Sequence, residues 1–263
     1  TGKGSGAITS FAQADGFIRI EALADHLPAG ADAPVTLFTP QVRVPDLVVI
    51  GSHCVGLDLV FSALSASGTS VRSLAMGSLG GLAAAKRGEC DLAPIHLFDP
   101  KTQSYNTPFL GDGLELVPGW RRMQGLVFRS GDPRLEGRSV EEAVAGALAD
   151  PDCLMVNRNQ GSGTRILIDQ LLGPERPDGY WNQPRSHNAV AAAVVQERAD
   201  WGVTIAPVAR AAGLGFIPLT EEHYDFALVS ARRERPAMQA FLTALQSPEI
   251  HAALERAGFA RAV

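Results

Sequence analysis

The sequence predicts an α/β fold of two lobes over residues 46–263. Short apolar runs alternate with segments of helical pattern from residue 46 onward, and repeated β-α-β units imply a parallel-type sheet with helices on both faces. Glycine- and proline-containing segments interrupt the alternation near residues 110–130, so we expect the chain to divide there. One lobe would comprise about 46–120 plus the C-terminal region, and the other about 121–225.

The strands are predicted from apolar and β-branched runs, and the helices from longer stretches of helical period. Leu47–Gly51 is a continuous apolar run of the kind that is buried on both faces of a sheet. The other predicted strands are 71–74, 92–95, 126–129, 154–156, 202–205 and 226–229. The predicted helices are 56–67, 80–87, 140–148, 164–172, 189–198, 236–245 and 249–256, of which 236–245 begins with proline.

Residues 1–40 have a different pattern. The β-prone runs 8–12 and 17–20 flank Asp15-Gly16, a dipeptide typical of hairpin turns because the turn needs positive φ. A third strand is predicted at 35–38. Three short strands do not bury a core alone, so we expect them to pack on upstream chain, a partner or the next domain. Residues 39–45 contain two prolines and are predicted to be a linker.

Composition and charge exclude several classes of protein. The 263 residues are 46% hydrophobic and 19% charged, which suits a globular protein. The net charge of −5 provides no basic field for nucleic acid or an anionic membrane, and no apolar run approaches the ~20 residues of a membrane span. Cys54, Cys90 and Cys153 form no C-x-x-C pair and are interpreted as thiols of a cytoplasmic protein. Residues 1–6 resemble the middle of a longer protein.

Three predicted strand-to-helix loops, at 51–54, 77–81 and 157–165, share glycines and a hydroxyl side chain. A helix N-terminus carries free N–H groups and roughly half a positive charge, so it is a ready anion site. Each hydroxyl is alternatively an ordinary N-cap. Three such loops at one sheet edge favour a ligand site, and the third adds Arg158 and Arg165, either of which suits a bidentate clamp on an anion.

Three histidines, His53, His96 and His187, lie near predicted strand ends or helix starts. They are candidates for hydrogen bonds to a ligand, with structural or surface roles as the alternative. A metal site is not supported, because no His or Cys partner lies at zinc-like spacing. His26, His223 and His251 are predicted to be surface residues.

Four other residues are further candidates for the surroundings of the site. Trp201 is either a buried aromatic residue or part of the cleft lining, and Tyr105 is a candidate for the lip of the site. Arg121 and Arg122 form either a second anion contact or a solvated charge pair where the chain crosses between lobes.

Six motifs carry a family resemblance over residues 47–250. They are Gly51-Ser52-His53-Cys54-x-Gly56-Leu57-Asp58, Gly77-Ser78-x-Gly80-Gly81-Leu82, Ile95-His96-Leu97-x-Asp99, Gln124-Gly125-Leu126, Asn157-Arg158-x-x-Gly161-Ser162-Gly163-Thr164-Arg165 and Ser186-His187-x-Ala189-Val190. As a set they resemble the cytosolic periplasmic-binding-protein-like domain, of type II, that is attached to molybdenum-cofactor proteins or regulators. The resemblance implies a two-lobed binding domain over residues 46–263.

Residues 1–40 carry a second, shorter resemblance. Gly4-Ser5-Gly6, Ile8-Thr9-Ser10 and Ala14-Asp15-Gly16-Phe17-Ile18 are similar to the end of the C-terminal β-domain of MoeA-type molybdopterin molybdenumtransferases. This resemblance implies a MoeA-type enzyme with an appended binding domain. The catalytic regions of that family would lie upstream, so this fragment is not expected to insert molybdenum by itself.

The function implied is a non-catalytic sensor or delivery module of molybdenum cofactor biosynthesis, which requires no cofactor and binds molybdate or tungstate in an interlobe cleft. A molybdopterin-type phosphate ligand and an effector-sensing regulatory domain are the alternatives. An enzyme is disfavoured, because G-x-S-x-G and phosphate-loop motifs are missing. Expected partners are the small anion, the upstream MoeA-type domains and a second copy of the chain. The candidate ligand-binding residues are Ser52, His53, Gly77, Ser78, His96, Asn157, Arg158, Gly161, Ser162, Gly163, Thr164, Arg165 and His187.

Overall fold

The structure, a computed structural model, describes residues 14–28 and 30–262. The described residues form two compact units, one that ends at Pro45 and one that begins at Asp46. The strand predicted at 8–12 lies outside the described residues. No helix in the described part of the chain has the length and apolar character needed to cross a membrane.

The first unit contains a two-stranded antiparallel sheet. Strand β1 (Gly16–Ile18) pairs with β2 (Val35–Leu37), and Gly16 lies opposite Leu37. The predicted Asp15-Gly16 turn is wrong, because Gly16 is a strand residue without positive φ. Glycine is needed there for space: an added Cβ would lie 3.0 Å from the Cα of Leu37.

The second unit alternates strands and helices, so the predicted α/β class is confirmed. Its strands are β3 (Leu47–Gly51), β4 (Val71–Ala75), β5 (Leu92–Ile95), β6 (Phe98–Asp99), β7 (Ser104–Tyr105), β8 (Leu114–Phe128), β9 (Met155–Val156), β10 (Trp201–Ile205), β11 (Gly215–Val229) and β12 (Ala260–Arg261). Its α-helices are α1 (Val55–Ala66), α2 (Gly77–Lys86), α3 (Val140–Ala149), α4 (Gly163–Leu172), α5 (His187–Val195), α6 (Ala206–Ala211), α7 (Pro236–Leu245) and α8 (Pro248–Ala257).

One eight-stranded sheet runs through the second unit, in the order β4-β3-β5-β11-β8-β10-β9, with β12 paired to β8. Strand β3 is parallel to β4 and β5, and β10 is parallel to β9. Strand β11 is antiparallel to β5 and β8, and β8 is antiparallel to β10. The sheet is therefore mixed, which corrects the predicted parallel-type sheet.

Strands β8 and β11, each of 15 residues, connect the two lobes. The end of β11 pairs with β5 at 225–228, whereas the end of β8 pairs with β10 at 124–128. The first lobe is therefore built on β3, β4 and β5, and the second on β9 and β10. The two long strands pair with each other from one lobe to the other, with register shifts at Pro218/Thr220 and Tyr224/Phe226.

Both faces of the first lobe's sheet are covered, which explains the unbroken apolar run of β3. Leu47 and Val49 belong to a core shared with α1, α7 and α8, whereas Val48 and Ile50 pack in a separate core with α2. Alternate residues of the strand thus enter opposite cores. Helix α2 lies close to β3 because residue 81 is glycine: an added Cβ would lie 2.5 Å from the Cα of Gly51.

Candidate functional site

A cavity of about 610 Å³ lies where four helices begin. It is lined by residues 52–55 before and at the start of α1, 75–78 at α2, most of 158–162 before α4, and 185–188 at α5. His96, which follows β5, also lines it. Helices α1 and α2 belong to the first lobe and α4 and α5 to the second, so the cavity is an interlobe cleft.

The first-lobe helices reach the cleft without side-chain caps. The N-cap residues of α1 and α2 are Cys54 and Met76, and neither makes a side-chain capping hydrogen bond. The Ser78 hydroxyl instead accepts a hydrogen bond from the backbone N–H of His96 at 3.1 Å. The N-cap alternative is therefore wrong for Ser78, and the first-turn N–H groups of these two helices are not occupied by a capping side chain.

The second-lobe helices are capped by serine. Ser162 accepts from the backbone N–H of Arg165 at 3.2 Å, and Ser186 accepts from that of Ala189 at 3.1 Å. The N-cap alternative is therefore confirmed for Ser162, which also lines the cleft.

Arg158 places a buried cation in the cleft wall. The residue is 6% exposed. Its guanidinium contacts the His187 ring at 3.2 Å and the Arg185 carbonyl at 3.4 Å, and neither partner is a carboxylate. Its Nε has no hydrogen-bond partner among the described residues. Burial is the largest cause, followed by the charge of Arg122, and together they lower the pKa of Arg158 to about 10.

A buried network connects the cleft residues Ser52 and His96 to the two long strands. The His96 ring joins the Ser52 hydroxyl, at 2.9 Å from Nε2, to the Glu222 carboxylate, at 2.9 Å from Nδ1. Glu222 also accepts from Gln124 Nε2 at 2.6 Å and from Arg122 Nε. His96 and the three residues of the long strands are all buried.

The charged groups of this network shift each other's pKa values. Burial alone would raise the pKa of Glu222, but Arg122 and His96 outweigh burial and hold that pKa at about 2. Burial alone would lower the pKa of Arg122, and Glu222 keeps it above its ordinary value. Burial lowers the pKa of His96 although Glu222 opposes this effect. Burial, followed by Arg158, places the pKa of His187 well below its ordinary value.

The structure places most of the predicted site residues at the cleft and the rest away from its lining. Those that line the cleft are Ser52, His53, Gly77, Ser78, His96, Arg158, Ser162 and His187. Those that do not line it are Asn157, Gly161, Gly163, Thr164 and Arg165. Gly163 leaves room for the His96 ring, because an added Cβ would lie 3.0 Å from that ring.

Arg165 and Asn157 hold the third loop in shape. Arg165 Nε donates to Asp169 at 2.9 Å, and the two other nitrogens donate to Tyr180 Oη at 2.6 Å and to the Arg158 carbonyl at 3.1 Å. Asn157 donates to the Tyr180 carbonyl and accepts from the Arg158 N–H. We therefore leave both residues out of the candidate site.

The structure distinguishes between the interpretations of the four further candidates. Trp201 is fully buried in the second-lobe core, and Tyr105, half-buried on β7, donates to the Glu221 carbonyl. Neither lines the cleft. Arg122 is buried against Glu222 while Arg121 pairs with Glu221, so the solvated-pair interpretation is wrong for Arg122.

Sequence reasoning missed Arg185, Ser186 and Asn188 as lining residues. The available signal was a serine three residues before Ala189, the expected spacing of an N-cap. It also missed Glu222 as the partner of His96, for which no local signal exists. Within residues 14–28 and 30–262, no group of three or more His, Cys, Asp or Glu side chains is arranged to hold a metal ion.

Two protein-family models match the chain. The model for the PBP superfamily domain matches residues 61–246, which is more than half of the 263 residues. The model for the MoeA C-terminal region (domain IV) matches residues 1–38.

Individual proteins are similar to this chain. An uncharacterized protein of Bacillus subtilis (strain 168), YvgK, is 31% identical over 170 residues, which cover 60% of this chain and 53% of that protein. The chain thus spans about half the length of this curated relative. An ABC-type phosphate transport receptor from Vibrio cholerae is 15% identical with a TM-score of 0.56, covering 82% of this chain and 100% of the receptor. The tungstate ABC transporter structure from Geobacter sulfurreducens is 15% identical with a TM-score of 0.58, covering 80% and 97%. These two structures establish a shared two-lobed fold.

Proposed function

Since the chain belongs to the PBP superfamily domain family, we propose that the cleft of residues 46–263 binds a small anion, with molybdate or tungstate as the preferred ligand. The observation that carries the proposal is Arg158. A buried guanidinium without a carboxylate partner is costly unless a negative group is supplied, and this one lines the cleft.

The remaining lining groups support an anion over a cation. Among the described residues that line the cavity, none is Asp or Glu. The polar groups present are hydroxyls, imidazoles, amides, guanidinium groups and the N-termini of four helices, all of which can donate hydrogen bonds. A ligand with two negative charges would thus meet donors from both lobes.

The similar structures support an oxyanion. The Geobacter sulfurreducens structure is of a tungstate ABC transporter, and that from Vibrio cholerae is of a phosphate transport receptor. Phosphate usually carries a proton near neutral pH, whereas molybdate and tungstate do not. None of the described lining residues is a carboxylate, the strongest acceptor for a ligand proton, and we therefore take the fully deprotonated anions as the preferred ligands.

One observation favours a larger ligand. A cavity of about 610 Å³ falls in the range of sites for drug-sized molecules, so a molybdopterin-type phosphate is the second candidate. Against it, Trp201 and Tyr105 do not line the cleft and offer no surface for stacking a pterin ring.

A thermal-shift titration of the chain tests the proposal. Molybdate or tungstate at 100 times its Kd should stabilise the fold by ~2.7 kcal/mol, which corresponds to a rise in Tm of roughly 5–10 °C for a domain of this size. Sulfate and phosphate serve as comparison anions. Stabilisation by a pterin phosphate alone would support the second candidate, and the absence of a shift with every oxyanion would contradict the first.

We also propose that this domain acts as the sensor or delivery module of a MoeA-type protein in molybdenum cofactor biosynthesis. The match of residues 1–38 to the MoeA C-terminal region supports this role. In cells grown on limiting molybdate, removal of residues 46–263 from the full protein should lower molybdenum cofactor content, and excess molybdate should restore it. Unchanged cofactor content at limiting molybdate would contradict a delivery role and leave effector sensing as the alternative.

A cytoplasmic location is part of the same proposal. It is supported by the three cysteines, which are free and buried. Recovery of the protein in a periplasmic or secreted fraction would contradict it.

A further inference from the structure

The Ser52–His96–Glu222 chain of hydrogen bonds has one direction when His96 is neutral. The Glu222 carboxylate is ion-paired with the buried Arg122, which keeps it ionised, so it can only accept hydrogen bonds. His96 Nδ1, which lies 2.9 Å from Glu222 Oε2, must therefore carry the hydrogen. A neutral imidazole has only one N–H, so Nε2 carries the lone pair.

The Ser52 hydroxyl is then turned away from the cleft. Its Oγ lies 2.9 Å from His96 Nε2, so the hydroxyl hydrogen is donated to the ring. The oxygen lone pairs are left for the cavity that Ser52 lines. A fully deprotonated oxyanion beside Ser52 would meet an acceptor and not a donor.

A proton on His96 reverses the direction. Nε2–H would donate to Ser52 Oγ, and the hydroxyl hydrogen would be free to donate to the anion. We propose that the cleft binds a fully deprotonated oxyanion together with one proton taken up by His96, whereas a ligand that carries its own proton donates it to Ser52 and needs no uptake. This inference rests on the proposed function and identifies His96 as the residue that determines which protonation state of a ligand is bound.

The groups around His96 allow this change on binding. Glu222 on β11 favours the protonated ring, while Arg122 on β8 and Arg158 before α4 disfavour it. Tyr224, also on β11, stacks on the ring at 6.2 Å between centroids, and its hydroxyl donates to the Ser52 carbonyl. In the empty cleft, burial and the two arginines keep His96 neutral. A dianion in the cleft offsets both arginine charges, so the balance shifts toward the imidazolium.

His187 is the other buried histidine of the cleft. It lies on α5, where its ring contacts Arg158 at 3.2 Å and Thr204 Oγ1 at 3.3 Å. The structure places no carboxylate against this ring among the described hydrogen-bond partners, so an added proton there would have no acceptor like Glu222. Of the two buried histidines, His96 is therefore the one to which proton uptake is assigned.

Calorimetric titration in buffers of different ionisation enthalpy tests the proposal, because the slope of the observed enthalpy against buffer enthalpy gives the number of protons taken up. At about pH 8, the chain titrated with molybdate should take up close to one proton. Phosphate, which is mainly the monohydrogen dianion there, should show a slope near zero. Molybdate affinity should also weaken up to tenfold for each unit of pH increase.

Two variants test the assignment to His96. His96→Gln should abolish the proton uptake and the pH dependence while weak molybdate binding remains. His223→Gln alters a half-buried histidine adjacent to Glu222 that does not line the cleft, and it should keep the uptake of one proton. Molybdate binding by the wild type without proton uptake, or uptake that persists in His96→Gln, would overturn the inference. The absence of binding by any oxyanion would instead contradict the proposed function. The comparison of molybdate with phosphate on the wild type tests the proton uptake itself even where a variant fails to fold.

Discussion

Replacing Arg158 by methionine is expected to stabilise the empty domain and to weaken anion binding. Methionine removes the charge and retains much of the side-chain length. The pKa of Arg158, lowered from 12.5 to about 10, corresponds to about 3 kcal/mol of unfavourable interaction for the charged form. The contacts with His187 and Arg185 offset this by about 1 kcal/mol each. The net gain in the free energy of unfolding is thus about 1 kcal/mol, or roughly 2–4 °C in Tm.

The effect of the same substitution on binding has the opposite sign. A hydrogen bond to a charged group contributes about 1.5–3 kcal/mol, so Arg158→Met should raise the Kd for molybdate roughly 10- to 150-fold. For a hundredfold loss, a molybdate concentration of 100 times the wild-type Kd would stabilise the variant by only about 0.4 kcal/mol, compared with ~2.7 kcal/mol for the wild type.

Thermal unfolding with and without molybdate measures both effects. Arg165→Met is the matched control, because its guanidinium is held by Asp169 and Tyr180. Its loss should lower the stability of the empty domain by about 2 kcal/mol or more. The reasoning is refuted if Arg158→Met binds molybdate with wild-type affinity, or if it destabilises the empty domain as much as Arg165→Met does.

Two further predictions concern pH and packing. Without anions, the free energy of unfolding should fall as the pH drops below about 6.5, by up to about 1.4 kcal/mol per pH unit for each buried neutral histidine. The reason is that the unfolded chain takes up a proton on His187 where the fold, with its lowered pKa, does not. Urea unfolding between about pH 7.5 and 5 checks this slope, which His187→Asn should reduce, and a stability that rises on acidification would contradict it. Gly81→Ala should destabilise by about 1–3 kcal/mol or more through overlap with the backbone of Ile50 and Gly51, while Gly80→Ala, which meets only the Met76 Cβ at 3.1 Å, should stay within about 1 kcal/mol of the wild type. Equal Tm values for the two glycine variants would refute this packing argument.

The first-lobe elements were predictable because their sequence signals are local. The run Leu47–Gly51 is apolar throughout, since alternate residues enter two cores; it ends in glycine, and serine follows it directly. The strands at 71–75 and 92–95 agree with the prediction to within one residue. The loops that follow these strands consequently lie at the expected sheet edge.

The long strands were not predictable at full length. Only 126–129 and 226–229 were expected, because the middle of each strand is polar: Arg121 and Arg122 on β8 lie opposite His223 and Glu222 on β11. Such residues are typical of exposed turns when read singly. They are compatible with a buried strand only when opposite charges are brought together across about 100 residues, and no local pattern contains that information.

The candidate site was predictable in its loops and less so in its side chains. Serines and glycines at helix starts are local signals, and they identified the 52, 78 and 162 positions correctly as cleft residues. Arg158 and Arg165 are both arginines of the loop 157–165, and the sequence offered either as the anion clamp. In the structure Arg158 lines the cleft, whereas Arg165 donates to Asp169. The position of Asp169 one helical turn beyond Arg165 was the available signal.

The continuity of β8 and β11 also has a consequence for folding. The second lobe is an uninterrupted insertion between the two strands, whereas the first lobe requires residues on both sides of it. Arg122 and Glu222 are 100 residues apart in sequence, and closing a loop of that length costs about 2 kcal/mol more than closing one of ten residues. A contiguous lobe forms from contacts nearer in sequence, which are made faster. The Arg122–Glu222 pair, which lies behind His96 of the cleft, is thus a contact that the chain makes only after most of it is available.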